Sequence, residues 1–278
     1  MKLRPVHPSA GIEAEYRVAL RRLVQQMHDS VLYWLRAAYR RDTPHAMAAD
    51  SAALELWAVS EVGLAMDELP ATALQKSVNT LRRRWTRRWR EASNKLADYF
   101  AQSVEDRVAG TLRRILADGG ISVKFQQTQA MRDVAAATVK QSVALIRSIP
   151  AQYFAQVEGI VMRGVQSGRD LGQVTRDLQN QLGVAKRRAA LIAQDQNEKA
   201  TASMVRVRYL ESGITEAIWC HSAAGKEPRP THVKAGRDRI KFDVARGWYD
   251  PHEKRFIQPG ELIRCRCFSI PVINGVSF

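Results

Sequence analysis

Between Ala71 and about Ala117 the apolar residues Leu74, Val78, Leu81, Trp85, Trp89, Leu96, Phe100, Val104, Val108, Leu112 and Ile115 step by three or four, with one double step of seven after Trp89, and no proline interrupts them. That spacing is the period of one buried helical stripe. It predicts a single helix longer than most globular helices, an extended element suited to packing along a bundle or to serving as a partner-binding shaft. The glycines of "ADGG" close it, because glycine takes the left-handed C-cap conformation without strain.

The same period recurs on both sides. From Ile12 to about Arg41 the stripe is Leu20, Leu23, Val24, Met27, Val31, Leu32 and Leu35. Thr43-Pro44 offers a new helix start, with a run to about Leu69 before Pro70. Helices are expected over 125–149, 151–167 and 170–182, closed by Pro150, Gly168 and Gly183, and a last one over 185–210. After Gly213 the helical period stops. Gly, Pro, Trp and His become dense, and short apolar pieces ("AIWC", "RIKFDV", "RCFSIPVI") alternate with turn signals. The expected fold is therefore mainly α in the N-terminal region, with long helices over residues 1–212, plus a small α+β C-terminal domain over 213–278.

Composition narrows the class. No apolar run approaches bilayer-crossing length, and the first residues lack the apolar stretch of a secretory signal, so the expected compartment is a cytoplasm. Three cysteines are too few, and odd in number, for a disulfide scaffold; reduced thiols or metal thiolates remain. The 43 Lys and Arg against 28 Asp and Glu favour polyanionic partners, although both regions are basic and charge alone does not divide their roles. Phosphate-cradling glycine loops, G-x-S-x-G and H-E-x-x-H are all absent, which argues against nucleotide-driven, dinucleotide-dependent and standard hydrolytic enzymes.

"LRRRWTRRWR" sets Arg82, Arg83, Arg84, Arg87, Arg88 and Arg90 around Trp85 and Trp89. The tryptophans continue the stripe of Leu74 and Leu81, so they are expected to pack. The arginines have two readings: a phosphate-tracking face for nucleic acid, or a surface for an acidic partner protein.

The C-terminal region holds all three cysteines and three of the six histidines. Cys220, His221, His232, His252, Cys265 and Cys267 could supply four zinc ligands, with Cys220, His232, Cys265 and Cys267 as the candidate set. The C-x-C spacing is unusual for zinc, and the expectation taken is packed thiols and hydrogen-bonded imidazoles, with zinc as the alternative. "RCRC" is read as a closing strand: Cys265 and Cys267 inward, Arg264 and Arg266 on the other face. Trp219 is expected to anchor the core, Gly236 and Gly260 to make turns, and His232 to form a buried polar network with Arg229 and Arg266. A nuclease with His232 as acid or base and Arg229, Arg237 or Arg266 on a phosphodiester is the enzymatic alternative, although no orienting carboxylate for His232 is visible in the sequence.

One set of landmarks resembles a known family, the phage Mu F-like head morphogenesis, or minor capsid, proteins. The landmarks run from about Lys186 to Val272: "RAALIAQDQ", "YLESGI", Trp219, Arg229, His232, Gly236, Phe242, Pro259-Gly260-Glu261, and "CRC" followed by "PV". Two departures are plain. Asp195-Gln196 stands where the family carries Thr-Glu, and the acid expected soon after the tryptophan is displaced, with Glu227 nearest. The resemblance implies a low-copy virion component at the portal vertex, present in the host cytoplasm during assembly, acting in head assembly and in DNA packaging or ejection, with no established catalysis. It implies portal protein, major capsid or scaffold protein, and phage DNA bound without sequence preference as partners. A sequence-specific DNA regulator would fit the charge, yet no recognition helix and turn of defined type is apparent.

Overall fold

A computed structural model describes residues 4–41, 70–166, 171–223 and 227–273. The helix expected over 44–69 lies outside the described residues. Among those described, four long helices precede a region of short strands and one short helix, as the hydrophobic period requires.

Helix α1 (Ala10–Arg41) is started by Ser9, whose carbonyl accepts from the Glu13 N–H at 3.1 Å and whose hydroxyl accepts from that of Ile12 at 3.4 Å. Helix α2 (Pro70–Asp118) has the bounds its apolar stripe predicts to within a residue. It ends in a Schellman motif: Gly120 is left-handed (φ 80°) and the Ile121 N–H reaches the Leu116 carbonyl at 2.8 Å.

Helices α3 (Gln129–Gln166) and α4 (Leu171–Glu211) correct the sequence reading, because each runs through a residue expected to end it. Pro150 removes one backbone hydrogen bond and costs about 3 kcal/mol inside a helix. Around it Ile146, Ile149, Tyr153, Phe154 and Val157 are all buried. Each such side chain contributes about 1.5–3 kcal/mol on burial, so the shared stripe outweighs the break. Gly183 costs only about 1 kcal/mol, and Leu178, Ala185 and Ala189 continue the buried face across it.

The chain forms two compact units. One comprises 20–92 and 146–189; Trp85 and Trp89 are buried in it as expected, and buried His28 shares a 2.9 Å hydrogen bond with Tyr153. The other comprises 1–19, 93–145 and 190–278. There Tyr16 stacks on Phe100 with ring centres 4.5 Å apart, and Arg208, 3% exposed, is held by Glu105, Glu211 and the carbonyl of Gln126. Pairing on three sides is what allows a guanidinium that deep.

The strand-rich region belongs to this second unit. A left-handed Gly213 ends α4, and a three-stranded antiparallel sheet follows in the order β2-β1-β5, built from β1 (Glu216–Cys220), β2 (Lys241–Asp243) and β5 (Phe268–Val272). Helix α5 (Pro230–Arg237) lies between β1 and β2 in sequence, and β3 (Trp248–Asp250) pairs with β4 (Arg255–Ile257) as a hairpin. No described helix is long and apolar enough to cross a membrane.

Candidate metal centre

Strand β1 carries the anchor. Trp219 is fully buried, with Trp248, Phe242 and His232 around it at ring-centre distances of 5.2, 6.0 and 5.0 Å. Proline at its first position presets the backbone of α5, whose buried face is His232 and Ala235. One turn beyond His232 comes Gly236. A Cβ there would lie 2.5 Å from the His221 Cβ and 2.6 Å from the His221 nitrogen, so only glycine lets the end of β1 sit this close. Gly236 is thus a close-approach residue within a helix, not a turn residue; Gly260, left-handed at φ 82° and seated against Ala202, is the turn residue expected.

Cys265 and Cys267 precede β5 instead of lying on it, which corrects the closing-strand reading. The chain reaches them through Arg264, left-handed at φ 59°, whose N–H donates to Asp195 Oδ1 of α4 at 2.8 Å. Both thiols nevertheless point inward, at 3% and 5% exposure. Arg264 is exposed, and Arg266 lies beside Glu198, so the two arginines share no strand face.

The inward thiols meet His232. Its Nδ1 lies 3.4 Å from Cys265 Sγ and 3.6 Å from Cys267 Sγ, and the three potential ligand atoms all fall within 4.8 Å of one another. Behind the ring, Nε2 faces Asp250 Oδ2 at 3.3 Å, an ion-pair distance that falls short of hydrogen-bond geometry. Asp250 is fully buried; Thr231 Oγ1 donates to the same oxygen at 3.2 Å and the His252 N–H to the other at 2.9 Å. The expected buried network around His232 exists, but with other members. Asp250 and the thiols stand where Arg229 and Arg266 were expected, while Arg229 donates to the Ile263 carbonyl at 3.3 Å.

The two thiols are driven in opposite directions. A hydrogen bond from Cys267, aided by His232, pulls the Cys265 thiol well below its usual range, and the same bond together with burial pushes Cys267 up. Backbone N–H groups of Cys267 and Ser222 support Cys265 and Cys267 respectively. The indole N–H of Trp219 faces Cys267 without completing a hydrogen bond.

Thiol, imidazole and carboxylate in line could be a nucleophile with its base and orienter, or a metal ligand set with an outer carboxylate. Access separates them. The three side chains are at most 3% exposed, and the cavity that touches Cys267 holds about 20 Å³, space for about one water. A second thiol on the same imidazole nitrogen has no role in nucleophilic catalysis but suits a metal. In a tetrahedral site, bond lengths of about 2.3 Å to sulfur and about 2.05 Å to nitrogen put S and N about 3.6 Å apart. The observed spacings match, so this buried cluster could hold a metal ion.

Cys220 stands outside it. Strand alternation turns its side chain to the face opposite Trp219, where its thiol lies 3.9 Å from the Ile218 carbonyl. Of the residues named for a nuclease, His232 is 2% exposed and Arg237 is exposed beside Asp238. On α2, Arg82, Arg83, Arg84, Arg87, Arg88 and Arg90 are all exposed. Arg82 pairs with Glu158 at 3.6 Å, and Arg88 lies over Trp85 and donates to Gln26 at 3.0 Å.

An uncharacterized protein of Haemophilus influenzae strain Rd is 31% identical over 137 residues, a match that spans 48% of this chain and 28% of that protein. No family model matches the chain. No solved structure matches it significantly.

Proposed function

We propose that this chain is a minor head protein of a tailed bacteriophage, acting at the portal vertex in head assembly and in DNA packaging or ejection, and that its strand-rich region is closed by a structural zinc ion. One observation carries the reading. Landmarks of the Mu F-like resemblance that are far apart in sequence come together: Trp219, Cys265 and Cys267 meet the His232 imidazole, Phe242 packs on Trp219, and Gly236 sits one turn from His232 against His221. A sequence signature that becomes a single spatial cluster is what a fold-defining core produces.

The donor set suits zinc: two thiols and an imidazole with an outer carboxylate. Bound zinc would cross-link the segment that carries Cys265 and Cys267 to helix α5 through His232. The exposed arginines of α2 are the surface proposed for phage DNA, since guanidinium forks match phosphate oxygens. Portal protein, and capsid or scaffold protein, are the proposed protein partners.

Mass spectrometry of purified virions tests the assignment. The chain is expected at low copy number, co-purifying with portal and present both in virions and in host cytoplasm during assembly. Its absence from virions and from portal complexes would overturn the assignment.

A further inference from the structure

The zinc reading leaves a coordination position open, since three protein ligands do not close a structural tetrahedron. We propose that His221 is the fourth ligand, giving a closed Cys2His2 site made of Cys265, Cys267, His232 and His221. The proposal rests on the zinc reading and goes one ligand further than the cluster of three.

His221 Nδ1 is 3.6 Å from Cys267 Sγ, the same edge length that His232 makes and the one a shared zinc ion requires. His221 follows β1 directly, on the alternation that carries Trp219 toward His232 and turns Cys220 away. The backbone N–H of the next residue, Ser222, faces the same sulfur. Gly236 then explains itself: its missing Cβ makes room for the backbone and Cβ of His221 one turn from His232. His221 now touches the cluster only through Cys267 and lies outside the 4.8 Å group of the other three donors, so the proposal requires its ring to turn toward the ion on binding.

The competing donors are engaged elsewhere. Both Asp250 oxygens accept hydrogen bonds, and its carboxylate lies on the far side of the His232 ring. Glu198 is near Cys265 but feels Arg266 more strongly, and the His252 side chain is 78% exposed next to Glu253. Charge decides further. Two thiolates and two neutral imidazoles leave a zinc site with no net charge, whereas a carboxylate as fourth ligand would bury a negative one.

The test uses the full chain, reduced and loaded with zinc, and reads metal content, zinc X-ray absorption and the spectrum after cobalt(II) exchange. One ion per chain with two sulfurs and two imidazoles, and a four-coordinate cobalt spectrum, is expected. His221→Ala should exchange one imidazole for oxygen and weaken binding by roughly 100-fold or more, beyond the 10–100-fold typical of losing an outer-shell partner. His221→Cys should restore four protein ligands with three sulfurs, a change that a merely structural residue could not produce, and it keeps the test available if the alanine variant does not fold. A wild-type ion with two sulfurs, one imidazole and water, or a His221→Ala variant unchanged in spectrum and affinity, overturns His221 while the zinc reading stands. A wild-type chain that binds no ion overturns both.

Discussion

The long helices and the strand-rich region that follows them solve the same problem in opposite ways. In the helices, burial is shared among many interchangeable apolar positions, such as Leu20, Val24, Met27 and Val31 on α1. Because each contributes a similar few kcal/mol, a proline in α3 and a glycine in α4 are absorbed. From Gly213 onward β2, β3 and β4 are three residues each, too short to be stable by themselves. Cohesion there concentrates in Trp219 and in the cluster of His232, Asp250, Cys265 and Cys267. Long helices can be held by repetition, while short strands need a pin.

The sharpest way to break this contrast is to remove the pin. If the proposed zinc is that pin, stripping it with a chelator at pH 7.5 should abolish the near-ultraviolet signal of Trp219 and Trp248 and open residues 214–273 to protease, with far-ultraviolet helicity largely kept. Structural zinc is worth about 10–16 kcal/mol in small peptides, so this is the largest expected effect. If chelation left both signals unchanged, the region would be held by packing alone, like the helices. Next in size, Trp219→Ala should cost about 3–5 kcal/mol and also lower zinc occupancy, whereas Leu74→Ala, at about 2–5 kcal/mol, should lower stability without touching the metal. Urea titration with metal analysis separates the two.

A smaller effect belongs to His28. Burial lowers its folded-state pKa, helped by Lys186 and Arg36 against the opposing pull of Asp29. Above pH 6.5 the ring is neutral in both states and contributes nothing to pH dependence. As pH falls through 6.5 the unfolded chain takes a proton that the folded chain resists, so stability drops. Wild type should therefore lose more stability than His28→Gln between pH 7.5 and 5.5. Smallest for stability is the triple change of Arg83, Arg84 and Arg87 to Gln, expected to stay within about 0.5 kcal/mol of wild type. Its readout lies elsewhere: the salt dependence of DNA binding should flatten by roughly 0.9 in log–log slope for each phosphate that is no longer neutralised. An unchanged slope would point those arginines to an acidic protein partner.

Much of the fold was legible because helical burial is periodic. The stripe from Leu74 to Ile115 marks the bounds of α2, and the change of texture after Gly213 marks the end of α4. Pro150 and Gly183 misled because a local penalty is visible in sequence and the tertiary burial that exceeds it is not. At the candidate site, residue types were legible and convergence was not. The thiols turn inward through a left-handed Arg264 held by Asp195, and His232 finds its carboxylate in Asp250, eighteen positions along the chain. Spacing alone shows neither. Two signals were nonetheless present: the parity of β1 places Cys220 opposite Trp219, and the lone acid of "WYDP" begins an Asp-Pro turn, the setting in which a carboxylate caps backbone N–H groups.

The hydrogen bond from the Arg264 N–H to Asp195 also bears on the order of events during synthesis. It joins residues 69 positions apart, so the turn that aims both thiols is completed by a helix that emerges from the ribosome well before them. The terminal segment therefore matures against a template and is not a freestanding finger. Expressed alone from residue 213, it would lack the carboxylate that sets its turn and the His7 ring that packs 4.5 Å from Phe268.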